Sequence, residues 1–265
     1  MGASVYPMTI QARYLSLMKS SLRTLCMLAA VLFLSAGVAQ ANVVIGGTRV
    51  IFPASQGDVT VRLENKGTRP ALIQAWIDRG NPQSRPDTAK APFLITPPLF
   101  LIDAHKAQSL RIIFTHANLP GDRESLFWLN VLEIPPKPTK DELQGDKNYL
   151  QLAIRSRLKL FYRPDGLKGD PLKAPQKLTW HMVRAKSGWM LRADNPTPFH
   201  VTLSKVQLKV GGKVYAATTG MVDPMSSLTL HVKGLDQALP SDTPVTYDAI
   251  NDFGAVASFK GTVAP

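Results

Sequence analysis

Of the 265 residues only one, Cys26, is a cysteine, and charged residues make up no more than 19%. Acids are scarce as well, 19 against 31 Lys plus Arg. The sequence has no G-x-S-x-G, no H-E-x-x-H, no nucleotide-binding motif and no block of consecutive basic residues. Its longest apolar stretch is shorter than the roughly 20 residues of a membrane-spanning helix. Nowhere after residue 41 does a helix-length segment keep a 3.6-residue period. These gaps count against a serine hydrolase, a zinc protease, a nucleic-acid binder and a helical membrane protein. His105, His116, His181, His200 and His231 are scattered without ligand spacing and read as surface or strand residues, so no metal and no cofactor is expected.

The lone cysteine belongs to the apolar segment 26–39, CMLAAVLFLSAGVA, with Lys19 and Arg23 before it and Ala39-Gln40-Ala41 at its end. A basic region, a short apolar region and a small-x-small site predict a cleaved secretory signal over 1–41, with Met18 as an alternative start. An uncleaved anchor is the rival reading, and the apolar stretch is short for one. A chain starting near Asn42 has no cysteine at all, although it would enter an oxidising compartment. Thiol catalysis, thiolate metal sites and disulfides are then excluded, and ordinary cores must stabilise the fold. Without Arg13, Lys19 and Arg23, 28 basic residues face 19 acids, a net +9. That surplus suits an acidic partner or simply a solvated basic surface.

What the sequence does have is alternation. DVTVRLEN, the segment after Pro70, SLRIIF and SLFWLNVLEI each place apolar residues at every second position, with turn residues such as NKG at 65–67 and PGD at 120–122 between them. PDGLKGDP at 164–171 reads as a domain boundary. The same grammar resumes in LTWHMV, GWMLRAD, HVTLSKVQLKV, a Gly211-Gly212 hairpin turn, KVYAAT, SLTLHV, VTYDAI and VASFKG. The expected fold is all-β, two immunoglobulin-like sandwiches over 42–164 and 172–265 joined by a linker at 165–171.

One segment is out of scale. Residues 149–163, YLQLAIRSRLKLFYR, alternate for 15 residues without Gly or Pro, whereas strands usually run about 5–6 residues. Leu150, Leu152, Ile154, Ser156, Leu158, Leu160 and Tyr162 share one face; Gln151, Ala153, Arg155, Arg157, Lys159, Phe161 and Arg163 share the other. At about 3.3 Å per residue such a strand extends on the order of 50 Å, beyond what one small sandwich covers. It is either a long central strand with one solvated face, or an edge strand whose apolar row is offered to another polypeptide by strand addition.

Several motifs occur in order along the chain: GGTRVIF at 46–52, QAWID at 74–78, TPPLF at 96–100, DRESLFWLNVLEIPP at 122–136, LQLAIRSRLKLFYRP at 150–164, NPTPFHVT at 195–202 and YDAINDFG at 247–254. With them the chain resembles the periplasmic pilus-assembly chaperones of the chaperone-usher pathway, the PapD-like family. The resemblance implies two immunoglobulin-like domains in a boomerang with a cleft between them. It implies no enzymatic activity, a periplasmic location, pilin (fimbrial) subunits and an outer-membrane usher as partners, and leaves room for a self-capping dimer of the free protein. Arg49 and Lys159 match the cleft residues that grip a subunit's C-terminal carboxylate, a fitting task for a guanidinium and an ammonium. Leu150, Leu152 and Ile154 match the residues that fill the groove of a pilin lacking one strand, the established mode called donor-strand complementation. Glu124, Arg163 and Asp252 match an ion network that sets the interdomain angle.

The segment 137–148 is moderate in length and holds no cysteine pair, so the chain is similar to the short-loop branch of the family. Two other readings stay open on the residues alone. A secreted hydrolase lacks an evident catalytic set. An adhesion module would share the fold but needs no long apolar ladder beside a cationic cleft.

Overall fold

A computed structural model of the chain describes residues 43–138, 151–185 and 188–265. The expected signal over 1–41, Leu150, and residues 139–148 of the segment that suggested the short-loop branch lie outside the described residues. In the first domain the strands are β1 (Val43–Ile45), β2 (Arg49–Pro53), β3 (Asp58–Asn65), β4 (Ala71–Asp78), β5 (Phe93–Thr96), β6 (Leu99–Ile102), β7 (Ala107–Phe114), β8 (Ser125–Ile134) and β9 (Ile154–Arg163). The second holds β10 (Thr179–Ala185), β11 (Gly188–Asn195), β12 (Val201–Val210), β13 (Lys213–Ala216), β14 (Gly220–Val222), β15 (Ser226–His231), β16 (Pro244–Ile250) and β17 (Val256–Thr262). Among the described residues the helical elements are two short 3-10 turns, Ala54–Gln56 and Ala174–Lys177.

Each domain is a two-sheet immunoglobulin-like sandwich. The first packs the sheet β1-β3-β7-β5 on the sheet β2-β9-β8-β4-β6; the second packs β10-β11-β15 on β13-β12-β16-β17, with β14 beside β12. Alternation decides which residues enter the cores, because successive side chains leave opposite faces of a strand. Phe52, Leu63, Ile73, Leu110, Ile112, Phe127, Leu129 and Leu160 fill the first core; Trp180, Leu191, Leu208, Leu230, Val245 and Tyr247 fill the second. The Trp180 and Tyr247 rings lie 4.9 Å apart, and the Tyr247 hydroxyl donates to the Pro175 carbonyl at 2.8 Å. Val210 pairs with Lys213 across the Gly211-Gly212 turn, whose φ angles of 53° and 82° belong to the left-handed region that glycine occupies without strain.

The expected 15-residue strand is shorter. β9 covers ten residues, and its pairing with β8 ends at Ile154 opposite Glu133. Pro135 and Pro136 follow β8; they have no N–H to extend the ladder, and the Gln151 amide instead donates to their carbonyls at 2.8 and 3.2 Å. On the apolar face Leu160 and Leu158 are buried, whereas Ile154 is 53% and Leu152 64% exposed. β9 is neither simply central nor simply an edge. The parallel strand β2 covers Lys159–Arg163 (register Arg49–Pro53), and among the described residues no strand covers 154–158 on that side.

Candidate functional site

Arg49 opens β2 and Lys159 lies in β9, opposite each other in the parallel register. Their side chains leave the same face and reach the second domain. Arg49 Nη1 donates to the Ile250 carbonyl at 2.9 Å, and Lys159 Nζ donates to the Thr202 hydroxyl at 3.1 Å. Among the described residues neither cation has a carboxylate within ion-pair distance, and the buried Arg49 Nε has no hydrogen-bond partner. Burial holds the Arg49 guanidinium below its ordinary pKa, opposed by Asp252. Burial, reinforced by the Arg49 charge and opposed by Asp223, lowers Lys159 to about 8. Two cations partly desolvated without an anion form a site fitted to a carboxylate. The Arg49 side opens on a cleft of about 160 Å³ lined by Glu124, Phe161, His200, Ile250 and Asp252 among others.

Glu124, Arg163 and Asp252 are brought together beside this cleft. Arg163 Nε donates to Glu124 Oε1 at 2.8 Å, and its Nη1 and Nη2 donate to the two Asp252 oxygens at 2.8 and 3.1 Å. Glu124 Oε2 accepts from the His200 backbone N–H at 2.8 Å and lies 3.0 Å from His200 Nδ1. Since an ionised carboxylate only accepts, that ring nitrogen carries the hydrogen. Burial would raise the Glu124 pKa, but the His200 side-chain and backbone bonds and the Arg163 charge outweigh it and hold the carboxyl below its ordinary value. Asp252 sits in the β16–β17 turn, where Gly254 has φ +81° and a Cβ added there would lie 2.3 Å from Thr48 Oγ1 of the first domain. Glycine is required there both by backbone conformation and by close approach.

Reading all histidines as surface or strand residues fails for His200. Its side chain is buried, bonded to Glu124 and 5.0 Å from the Phe161 ring. The face of β9 that a long central strand would leave solvated is also occupied. Phe161 is buried beneath the cleft, and Arg155 and Arg157 lie flat on the sheet against Asn130, Asp78, Trp76 and Trp128. Asp78, Asn130 and His200 were present in QAWID, SLFWLNVLEI and NPTPFHVT, but alternation alone gives no reason to single them out. Ile154 is exposed at the start of the uncovered half of β9 and Leu152 just before it, and the pairing with β2 begins farther along at Arg49 and Lys159. Among the described residues no group of three or more His, Cys, Asp or Glu side chains could hold a metal ion.

Comparison with known proteins decides the family. The model of "Pili and flagellar-assembly chaperone, PapD N-terminal domain" matches residues 42–168, and that of "Pili assembly chaperone PapD, C-terminal domain" matches 173–260. The chain belongs to the PapD-like family of pilus-assembly chaperones. It is a chaperone, not an enzyme. This chaperone is 44% identical to the probable fimbrial chaperone YadV of Escherichia coli K12 over 231 residues, 87% of the chain and 92% of the relative. It is 46% identical to the chaperone protein FimB/FhaD of Bordetella pertussis over 240 residues, 89% and 94% of the two chains. The crystal structure of the YadV chaperone superposes with a TM-score of 0.72 at 43% identity, covering 84% of this chain and all of that one. A structure of the Salmonella enterica SafA pilin in complex with the SafB chaperone matches with a TM-score of 0.69 at 30% identity, covering 86% and 99%.

Proposed function

We propose that this chaperone is exported to the periplasm by a cleaved signal over 1–41, captures pilin subunits that lack one strand, and delivers them to an outer-membrane usher. The observation that carries the reading is the state of β9. One half has an uncovered edge with Ile154 and the adjoining Leu152 exposed, and where the other half begins, Lys159 lies beside Arg49 of β2, with no carboxylate at ion-pair distance from either among the described residues. An incoming subunit strand pairs with the uncovered edge, its groove takes up Leu152 and Ile154 together with Leu150, and its C-terminal carboxylate meets Arg49 and Lys159. Hydrophobic burial supplies most of the affinity, at roughly 1.5–3 kcal/mol for each large aliphatic side chain. The carboxylate sets the register. Because the two cations are half-buried, their pairing with it is screened less than a surface ion pair. Glu124, Arg163 and Asp252 fix how the two domains meet and make no contact with the subunit. The SafA–SafB complex shows a relative of this chain holding a pilin, in support of this reading.

The test is affinity capture of the tagged protein from the periplasm of its own host, alongside the Arg49→Ala, Lys159→Ala double variant. Recovery of pilin-like subunits by the parent and not by the variant is the expected result. Equal recovery by both would remove the cleft from the mechanism, and no recovery by either while pilins are expressed would remove the chaperone–pilin reading for this chain.

A further inference from the structure

Among the described residues, the uncovered half of β9, residues 154–158, pairs with β8 and with no other strand. A strand paired on one side near its end is prone to local opening, and an open strand must be ordered again before a partner can pair with it. On the face turned away from the core, however, it is fastened twice. Arg155 Nε and Nη2 donate to Asn130 Oδ1 at 3.0 and 2.6 Å, its Nη1 donates to the Pro82 carbonyl at 2.8 Å, and its guanidinium lies 4.7 Å from the Trp76 ring. Arg157 Nε donates to the same Asn130 oxygen at 3.0 Å, its Nη2 reaches both Asp78 oxygens at 3.0 and 3.1 Å, and its guanidinium lies 4.7 Å from the Trp128 ring.

The acceptors are themselves buried and bonded on several sides. Asn130 and Asp78 are buried in β8 and β4, and Asn130 Nδ2 donates to Asp78 Oδ2 at 2.8 Å. The Ser84 hydroxyl donates to the same Asp78 oxygen at 2.8 Å, and the Gly80 N–H donates to Asp78 Oδ1 at 2.6 Å. Buried polar groups satisfied in this way make a rigid anchor. Arg155 and Arg157 point to the face opposite Ile154, so the anchor leaves both the uncovered edge and the apolar row free.

We propose that Asn130 and Asp78 are positioning residues for subunit capture: by anchoring Arg155 and Arg157 they keep residues 154–158 extended and ready to pair. The proposal rests on the donor-strand reading of β9. Strand order set before the encounter is not charged against the affinity, so loosening the anchor weakens capture without touching a subunit contact.

The experiment compares the parent with Asn130→Leu, Arg155→Met and Arg155→Lys, reading backbone amide exchange, thermal stability and affinity for the pilin subunit recovered with the parent from the periplasm. Asn130→Leu removes one donor from the buried Asp78 and the acceptor that both guanidinium groups share, and is prone to misfold; Arg155→Met leaves Asn130 and Asp78 bonded to each other and to Arg157, and serves where it does. Expected in Arg155→Met is exchange about tenfold faster at the β8-bonded amides of 154–158, little change at 159–163 or in the melting temperature, and about tenfold weaker subunit binding. Arg155→Lys keeps the charge but cannot make the paired contacts to Asn130, so it should behave like Arg155→Met. Unchanged exchange at 154–158, faster exchange with unchanged affinity, or full rescue by Arg155→Lys would each overturn the proposal. A parent that binds no pilin at all overturns the donor-strand reading and the capture role with it, and the exchange data tell that failure apart from failure of the anchor.

Discussion

Arg49 and Lys159 are register partners in the parallel pairing of β2 with β9, and the two groups they bond, the Ile250 carbonyl and the Thr202 hydroxyl, belong to register partners in the pairing of β12 with β16. A pair of cations in one sandwich is thus laid across a pair of residues in the other. Among the described residues neither has a carboxylate at ion-pair distance. The same docking that forms the cleft removes water from both charges.

The Lys159 pKa of about 8, lowered from 10.5 by burial and by Arg49, makes capture pH-dependent. A bound carboxylate favours the charged amine and raises the value again, so binding releases no proton below pH 8 and takes one up above it. Subunit affinity should be flat from pH 6 to 7.5 and fall toward about tenfold per pH unit above 8. Lys159→Arg should flatten the profile. For folding the sign is opposite: keeping the amine charged in the folded state is a penalty at neutral pH, relieved as pH rises from 8 to 10.5. Affinity titrations in matched ionic strength check the first trend, and denaturant unfolding over the same pH range checks the second.

Leu152→Ser and Ile154→Ser remove apolar surface that the free chaperone leaves largely in water. Thermal stability should stay within about 0.5 kcal/mol of the parent. Subunit affinity should drop by about tenfold to a hundredfold for each, the equivalent of roughly 1.5–3 kcal/mol of lost burial. A melting temperature that fell with the affinity would place these residues in the chaperone's own core.

Glu124→Ala leaves the Arg163 guanidinium and the His200 ring without their shared acceptor in a buried setting. The expected loss is about 3–5 kcal/mol at pH 7, read by denaturant unfolding. Because the Glu124 pKa is held below its ordinary 4.5, the carboxylate's contribution is complete above that value and lost as pH falls through the lower folded value. The gap between variant and parent should therefore close in acid.

Gly254→Ala combines two penalties, a φ of +81° and a Cβ 2.3 Å from Thr48 Oγ1. The conformational part alone is about 1–2 kcal/mol. Adding Thr48→Ala removes the hydroxyl and should restore the steric part only, since the Thr48 Cβ lies at an ordinary 3.5 Å. Full restoration by the second substitution would show that the turn relaxes into another backbone conformation.

How far the site could be read in advance differs residue by residue. Motif position alone marks Arg49, Lys159, Glu124, Arg163 and Asp252; the structure sets the first two opposite each other in register and joins the other three in one ion network. Spacing leaves His200 among the surface or strand histidines, because its burial depends on Glu124, 76 positions earlier in the chain. Only the central-strand alternative puts Arg155 and Arg157 on a solvated face, and alternation cannot correct it, since it reports the side of a strand and not what lies on that side. Asp78 and Asn130 looked like polar interruptions of apolar strands, and only the pairing of Trp76 with Asn130 and of Asp78 with Trp128 sets them side by side.

By itself the sequence determined what period-two patterning can determine: strands in place of helices, which residues of each strand face a core, two domains of sandwich size, and an apolar row continuing past the core along one strand. Those properties are local, because side-chain alternation follows from the geometry of consecutive residues. The tertiary structure decided the rest. Pro135 and Pro136 end the ladder at Ile154, β2 covers only half of β9, and docking of the second domain desolvates Lys159 and buries His200. Each of these depends on register between distant segments and on removal of water by a neighbouring domain, and neither quantity is present in any short stretch of chain.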